Sequence, residues 1–172
     1  PPTPDHLAGI EAATGSLGHG LPMAVGMMLA NSVSQIDCKA YVLVGDGECN
    51  EGSIWEAAMF ASAQKLGNMV VIVDFNKWQA TGRSEEIMAL NPLKEKWKSF
   101  GWNALRCDGH NLNNLLKKFK KAIKQKNSPT IIICDTIKGK GSKMIENKVL
   151  WHYRCPSKEE YKIIETEIKN YR

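Results

Sequence analysis

The chain has 172 residues, of which 43% are hydrophobic and 24% are charged, a balance typical of a globular protein with a substantial core. No apolar run of about 18 residues occurs, which excludes a helical membrane span, and no signal peptide is recognised. The five cysteines lack the spacing of metal ligands. They indicate reduced thiols and a cytoplasmic location rather than a zinc site.

The net charge of +5 conceals an uneven distribution. Residues 1–93 contain 4 Lys or Arg against 10 Asp or Glu, whereas residues 94–172 contain 19 against 8. A basic half could bind nucleic acid, but six of its lysines recur between residues 117 and 126, within one amphipathic helix pattern. A solvated helix face explains such a run better, so we expect no nucleic-acid partner.

Helical patterns and apolar runs alternate along the chain. Continuous apolar strands joined by helices are typical of a parallel sheet covered on both faces, so we expect an α/β fold. Serines three residues before a glutamate predict capping boxes at two helix starts, Ser53 with Glu56 and Ser157 with Glu160. The patterns predict helices at 17–30, 54–66, 93–100, 112–126 and 157–170, strands at 39–44, 69–75, 103–107 and 129–136, and a loop at 77–92.

Helix 54–66 is apolar on nearly every side. A helix of this kind is normally buried all round. A domain of 172 residues has little material with which to bury it, so we expect a partner subunit to cover it. The prolines among residues 1–4 indicate an extended loop that continues from a preceding segment. We therefore interpret residues 1–172 as a single domain that lacks its N-terminal segment.

Two polar side chains follow neighbouring strands: Asp46 comes just after strand 39–44, and Asn76 comes directly after strand 69–75. Parallel neighbours lie about 5 Å apart, so both side chains could reach one cation in the crevice where α/β sheets bind ligands. Magnesium prefers oxygen ligands and shares them with phosphates and water. A backbone carbonyl near Trp78 would be a third ligand, and a diphosphate would complete the set. The alternative is a Gly-Asp-Gly turn with a helix-capping Asn.

The same segment resembles the thiamin diphosphate motif, in which Gly-Asp-Gly is followed, a helix and a strand later, by Asn. Here Gly45, Asp46 and Gly47 are followed by Asn76. The chain is similar to the transketolase family in particular, and the resemblance extends over nearly its whole length. It implies the diphosphate-binding (PP) domain of that family, in the split form whose N-terminal half is a separate subunit. The stretches that match are 14–21, 45–57, 65–68 and 136–141.

The resemblance implies a role for each residue of the motif. Asp46, Asn76 and the carbonyl of Trp78 would hold Mg²⁺, or Ca²⁺ or Mn²⁺ in its place, and the metal would bind the cofactor thiamin diphosphate. Glu51 and His152 would be catalytic, Glu51 through a link across the dimer to the glutamate that protonates the aminopyrimidine ring. The residues expected to contact the cofactor are Gly15, Leu17, Gly45, Asp46, Gly47, Glu48, Asn76, Trp78 and His152.

Three of these residues have a second interpretation. Glu51 precedes a helix, and an acid at that point is favoured by the helix dipole. Leu17 could be an ordinary core residue. His152 is a lone histidine, which is more often structural, although its position after the Lys-Gly-Lys-Gly loop favours the functional role.

Membership of this family would mean transfer of a two-carbon ketol unit from a ketose to an aldose, with sugars or sugar phosphates as substrates. The partner would be the C-terminal, pyrimidine-binding half, in a heterotetramer or a dimer of such pairs. The family's upstream catalytic histidines have no counterpart among these residues, and neither has the pyrimidine-binding half that supplies the activating glutamate. We therefore expect these residues alone to be an incomplete catalyst that is active only with the partner half. The alternatives are another thiamin diphosphate enzyme, of deoxyxylulose-phosphate synthase or dehydrogenase E1 type, and a non-catalytic interaction subunit.

Overall fold

The centre of the fold is a sheet of parallel strands. The computed structural model describes residues 7–171, and within them the strands are β1 (Ala40–Gly45), β2 (Met69–Phe75), β3 (Asn103–Asp108) and β4 (Thr130–Asp135). Their order is β1-β2-β4-β3, and every pairing is parallel. Because a connection with a helix returns the chain to the same end of the sheet each time, the carboxyl ends of all these strands lie at one edge.

Helices fill most of the connections between strands. No helix between residues 7 and 171 combines the length and apolar character needed to cross a bilayer. Two short 3₁₀ turns, Gly47–Asn50 and Val149–His152, interrupt the longer loops. The helices are α1 (Gly20–Val33), α2 (Gly52–Ala63), α3 (Ser84–Ile87), α4 (Leu93–Ser99), α5 (Leu112–Ala122) and α6 (Lys158–Asn170).

The helices cover the two faces of the sheet unequally. Helices α1, α2 and α4 pack over one face, where the larger core contains Leu21, Ile54 and Trp97, all fully buried. Helix α5 packs over the other face, around Ile132 and Ala122. The predicted α/β fold, a parallel sheet with helices on both faces, is therefore confirmed.

Several predicted helices have shifted ends. The helix predicted at 17–30 begins only at Gly20 and continues to Val33, because Gly18 adopts a left-handed backbone conformation (φ +77°) that a helix does not allow. The helix predicted at 112–126 ends at Ala122. The chain then passes close over Gly67, where the Lys126 carbonyl occupies the place of a side chain.

The two predicted capping boxes have different outcomes. The one at the start of α6 is confirmed, since Ser157 and Glu160 each accept a hydrogen bond from the other's backbone N–H. The one at Ser53 is wrong: α2 begins earlier, with Glu51 at the N-cap position and no side-chain cap. The Ser53 hydroxyl instead donates to the carbonyl of Gly18 at 2.9 Å. A contact with an earlier loop has taken the group that would have capped the helix.

The segment predicted as a loop, 77–92, contains the short helix α3. Its first residue, Ser84, is buried, and the hydroxyl donates to the carboxylate of Asp46 at 3.0 Å. A helix of four residues has little stability of its own. The contact with Asp46 explains why the chain turns here although the sequence has no helical period.

Helix α2 is not buried on all sides by residues 7–171. It buries Ile54, Ala57 and Ala58 against the core, while Met59 is 60% exposed and Phe60 is 43% exposed. The apolar side of α2 that faces away from the sheet is therefore left uncovered by these residues.

Candidate functional site

The strand register places the predicted site residues side by side. Gly45, the last residue of β1, pairs with Asp74 of β2, which is two residues before Asn76. Asp46 and Asn76 thus leave neighbouring strands at the same edge of the sheet. This is the crevice at the carboxyl ends of the strands, where α/β proteins bind their ligands.

Asp46 is a buried carboxylate, with 1% of its surface exposed. One oxygen, Oδ1, accepts a hydrogen bond from the N–H of Gly47 at 3.0 Å. The other, Oδ2, accepts from the N–H of Lys77 at 2.8 Å and from the Ser84 hydroxyl at 3.0 Å. Burial raises the pKa of Asp46 against the opposite effect of these three donors, and the charge of Asp74 adds to the rise. None of the ion pairs among residues 7–171 involves Asp46.

The carboxamide of Asn76 is fixed at both of its ends. Its Nδ2 donates to Oδ2 of Asp74 at 3.2 Å, and its Oδ1 accepts from the N–H of Trp78 at 2.9 Å. Lys77, between them, has a left-handed backbone (φ +69°). This tight turn brings the Lys77 N–H onto Asp46 while the Asn76 oxygen faces Trp78. The three predicted metal ligands are therefore supplied by one carboxylate and the turn that it binds.

The turn continues into a short hairpin. The N–H of Ser84 donates to the Lys77 carbonyl at 3.1 Å, and Trp78 forms an antiparallel bridge with Arg83. The Arg83 guanidinium lies over the Trp78 ring, 3.8 Å from its centroid. These contacts fix the backbone of Trp78, whose carbonyl is the third predicted ligand.

Glu48 joins two loops at this edge. Its Oε2 accepts from the N–H of Gly45 at 2.9 Å, and its Oε1 accepts from the N–H of Gly18 at 3.1 Å. Both oxygens of this predicted cofactor residue thus bind backbone groups of the chain. The result is that the loop before α1 is held against the end of β1.

Glu51 lies against the same loop. A Cβ built on Gly18 would be 2.8 Å from the Glu51 Cβ and 2.4 Å from the Ser53 hydroxyl, so the backbone of Gly18 approaches α2 as closely as glycine allows. The half-buried Glu51 makes no capping hydrogen bond. Its position at the N-cap of α2 agrees with an acid favoured by the helix dipole, so that alternative stays open and the catalytic role stays a prediction.

Gly15 and Leu17 are exposed beside this loop. No atom of residues 7–171 lies within 4 Å of the place where a Gly15 Cβ would stand, and Leu17 is 56% exposed. The alternative that Leu17 is a core residue is therefore wrong for residues 7–171. Both residues lie on a surface that is open to a ligand or a partner, as their predicted place beside the cofactor requires.

His152 ends the second 3₁₀ turn and is exposed. Its ring packs against that of Tyr153, with centroids 5.1 Å apart. The Tyr153 hydroxyl donates to the carbonyl of Ala80, which belongs to the hairpin after β2. A few residues earlier, Oδ1 of Asn147 accepts from the Trp78 indole N–H at 2.9 Å. The segment with His152 is thus attached to the hairpin that supplies Trp78.

Four residues that hold this site together were not predicted from the sequence. Ser84 and Asn147 lie in segments without a regular pattern, so nothing in the sequence indicates their partners. Asp74 gave a usable signal, because it is a charged residue in a strand that is otherwise apolar. Thr136 follows β4 directly, and its hydroxyl donates to Asp74.

The donor set fits a hard divalent cation. Asp46 offers a carboxylate oxygen, Asn76 an amide oxygen, and Trp78 a backbone carbonyl. Mg²⁺ takes oxygen ligands of these kinds and leaves several positions for phosphate and water. Softer metals would favour the sulfur or imidazole ligands that this turn lacks.

A family model described as "Transketolase, thiamine diphosphate binding domain" matches residues 1–167. The chain belongs to the transketolase family. It is 41% identical over 155 residues to one of the apulose-4-phosphate transketolase subunits of Phocaeicola vulgatus, an alignment that covers 90% of this chain and 55% of the relative. It is 40% identical over 161 residues to the 6-deoxy-6-sulfo-D-fructose transketolase subunit SqwG from a Clostridium species, covering 94% and 58%.

Solved transketolase structures have the same fold. The transketolase of Campylobacter jejuni superposes with a TM-score of 0.87 at 31% identity, covering 94% of this chain and 26% of that one. The Pichia stipitis enzyme in complex with sedoheptulose 7-phosphate gives a TM-score of 0.87 at 26% identity, covering 98% and 26%. The chain spans about half the length of the bacterial subunits and about a quarter of these enzymes.

Proposed function

We propose that this chain is the N-terminal subunit of a split transketolase and that it holds thiamin diphosphate through a magnesium ion. The observation on which the proposal depends is the place of Asp46, a buried carboxylate bound to the turn that supplies Asn76 and Trp78. The description of the family and the relatives named as transketolase subunits support the same assignment. The reaction would transfer a two-carbon ketol unit from a ketose to an aldose, with sugars or sugar phosphates as substrates.

The residues of this chain would anchor the charged end of the cofactor. Asp46, Asn76 and the Trp78 carbonyl would hold the metal, and the backbone of Gly45 and Gly47 would let the diphosphate approach the sheet edge. When bound, thiamin diphosphate would supply the electron sink that cleavage of a carbon–carbon bond beside a carbonyl needs.

Two further residues would act near the reacting groups. Glu51 would link across the subunit interface to the activating glutamate of the partner, and it lies beside the open loop that contains Gly15 and Leu17. The exposed imidazole of His152 is attached to the Trp78 hairpin through its neighbours. An imidazole in that place would donate to a phosphate or carbonyl oxygen and move protons near neutral pH.

The partner would be the C-terminal, pyrimidine-binding subunit, in a heterotetramer or dimer of pairs. The exposed apolar side chains of α2, Met59 and Phe60, and those of α1, Met23 and Met27, support this assembly. Helices α1 and α2 pack against each other, so these side chains belong to one pair of neighbouring helices. Apolar surface of this kind is typical of a permanent interface.

Titration of thiamin diphosphate and Mg²⁺ tests the proposal. The wild-type complex with the partner subunit should bind both, and Asp46→Ala should weaken binding by more than about 100-fold, beyond the usual effect of residues behind the ligands. Asp37→Ala is the matched control, because it removes an exposed acid at the other end of β1. Equal affinity of Asp46→Ala and wild type would contradict the proposed anchor.

The same complex separates the remaining alternatives. Transfer of a two-carbon unit from a ketose donor would support a transketolase, whereas cofactor binding without transfer would support a non-catalytic subunit. Family membership already favours a transketolase over a synthase or dehydrogenase of the same cofactor class. The five free cysteines, with Cys155 exposed, support a reducing, cytoplasmic location.

A further inference from the structure

Asp74 is a charged residue in a strand of apolar residues, and it is not one of the residues proposed above to hold the metal or the cofactor. It lies in β2 between Gly45 of β1 and Cys134 of β4. The buried acid Asp46 directly follows Gly45, the partner of Asp74 on the neighbouring strand. A second acid beside a buried acid is unfavourable for the chain alone. A functional role for Asp74 would explain why this unfavourable charge is present.

The hydrogen bonds of Asp74 indicate this role. Its Oδ1 accepts from the Thr136 hydroxyl, and its Oδ2 accepts from the Asn76 Nδ2. An ionised carboxylate only accepts hydrogen bonds, so it selects the NH₂ end of the amide and repels the oxygen end. The N–H of Trp78 only donates, and it selects the oxygen end. Two independent neighbours thus require the same orientation of the Asn76 carboxamide.

We infer that Asp74 is a positioning residue that holds the Asn76 carboxamide with its oxygen, rather than its nitrogen, turned toward the metal site. This inference rests on the proposed function, because the oxygen matters only if Asn76 is a ligand. A carbonyl oxygen has two lone pairs, so Asn76 Oδ1 can accept from Trp78 and still bind a cation. An amide turned the other way would present two N–H donors to the cation and would repel it. Thr136 fixes the second oxygen of Asp74 and so fixes its plane.

An exchange of the two side chains tests this inference. Assembled with the partner subunit, three variants are compared with wild type: Asp74→Asn, Asn76→Asp, and the double variant with both changes. The measurement is the affinity for Mn²⁺ in the presence of thiamin diphosphate, followed by the electron paramagnetic resonance signal of free Mn²⁺. This readout reports metal binding and does not depend on turnover.

Each single variant should weaken Mn²⁺ binding about tenfold, as is usual for partners that orient a metal ligand. Asp74→Asn removes the charge that selects the amide orientation, and Asn76→Asp places two carboxylates against each other. The double variant should recover most of the loss, because the new amide at 74 donates to the new carboxylate at 76. Asp37→Asn, which removes an exposed charge at the opposite end of β1, should bind Mn²⁺ as wild type does.

An affinity of Asp74→Asn for Mn²⁺ equal to that of wild type would overturn the inference. A double variant that binds Mn²⁺ no more tightly than the single variants would also overturn it and would indicate that Asp74 is itself a ligand. Should the Asp74 variants fail to fold, as judged by circular dichroism, Thr136→Val decides the matter. It leaves the charge in place but frees the carboxylate plane, so it should weaken Mn²⁺ binding measurably, and unchanged binding would overturn the inference. A wild-type complex that binds no Mn²⁺ contradicts the proposed function instead.

Discussion

Two aspartates at the carboxyl ends of strands in the same sheet have opposite electrostatic surroundings. Asp135 of β4 accepts two hydrogen bonds from the Arg106 guanidinium, at 2.7 and 2.8 Å, and Lys77 lies 3.5 Å away. Arg106 lowers the pKa of Asp135, whereas burial raises the pKa of Asp46. The groups of residues 7–171 that donate hydrogen bonds to Asp46 are all neutral.

These surroundings distinguish a structural acid, Asp135, from an acid arranged for a ligand, Asp46. We call the end of β4 with Arg106 and Asp135 the Asp135 corner, and the end of β1 with Gly18 and Asp46 the Asp46 corner. The Asp135 corner is neutralised within the chain. The Asp46 corner contains a buried charge with no cation of its own among residues 7–171. That arrangement fits a cation that arrives with a ligand.

The backbone of the Asp46 corner is most closely packed at Gly18. Replacing this glycine should therefore lower the free energy of unfolding more than the other substitutions considered below. Gly18→Ala would place a Cβ 2.4 Å from the Ser53 hydroxyl, at a backbone φ of +77°. The left-handed conformation costs an alanine about 1 kcal/mol, and overpacking adds about 2 kcal/mol. Urea denaturation should show a free energy of unfolding lower by about 3 kcal/mol.

Gly15→Ala is the control for Gly18→Ala. Within the described part of the chain, no atom lies within 4 Å of the new Cβ at Gly15, and the φ of Gly15 is not in the left-handed region. Its free energy of unfolding should change by less than about 0.5 kcal/mol. Equal effects of the two substitutions would show that the loop before α1 is not held as described.

Helix α2 carries exposed apolar side chains on the surface beside the Asp46 corner. Phe60→Asp should weaken binding of the partner by about 30-fold, or about 2 kcal/mol, because it places a charge in a desolvated interface. Ile123→Asp is matched in exposure, 41% against 43% for Phe60, but follows the lysine-rich helix α5 and should leave association unchanged. Sedimentation of each variant mixed with the partner subunit measures this binding. Unimpaired assembly of Phe60→Asp would contradict a partner over α2.

The Asp135 corner should affect stability by a smaller amount and with a defined pH dependence. Arg106→Met should lower the free energy of unfolding by about 1 kcal/mol near pH 7, a value reduced by partial exposure of the pair. Because the pKa of Asp135 is lowered in the folded chain, this stabilisation is complete above its unfolded value of about 3.9. This stabilisation is lost as the pH falls through the pKa that Asp135 has in the folded chain.

Denaturation of wild type and Arg106→Met from about pH 7 to about pH 3 measures this effect. The difference between the two free energies should begin to narrow below about pH 4, and it should close as the pH falls through the lower pKa of Asp135 in the folded chain. Lys98→Met, which removes an exposed ion pair with Glu95 at 4.0 Å, should show almost no difference at any pH. A gap between wild type and Arg106→Met that widens in acid would contradict the assigned pairing.

The sequence predicted the elements that depend on local pattern. Strand β2 was predicted at both ends, because its apolar run is bounded by Asn68 and Asn76. The capping box at Ser157 was predicted because both partners lie within one helical turn. The same reasoning failed at Ser53, where a loop 35 residues earlier takes the hydroxyl. Contacts distant in sequence have no local signal.

In the candidate site, too, some residues could be predicted from the local sequence pattern and others could not. The motif with Asp46 and Asn76 indicates which residues meet at the strand ends, and the register confirms that they leave neighbouring strands. Ser84 was missed because its contact with Asp46 spans 38 residues and has no local signal. Asp74 lies only two residues before Asn76, and it was missed although a charged residue in an apolar strand is a usable signal. A sequence thus predicts candidate ligands more readily than the groups that position them.

Diffraction from crystals of the complex soaked with Mn²⁺ and thiamin diphosphate shows whether Asp46, Asn76 and Trp78 hold the metal, because anomalous scattering locates the metal. We expect one Mn²⁺ at the ends of β1 and β2, about 2.1 Å from oxygens of Asp46, Asn76 and Trp78 and in contact with the diphosphate. A metal bound elsewhere, or a cofactor bound while Asp46 keeps only its three neutral donors, would contradict it.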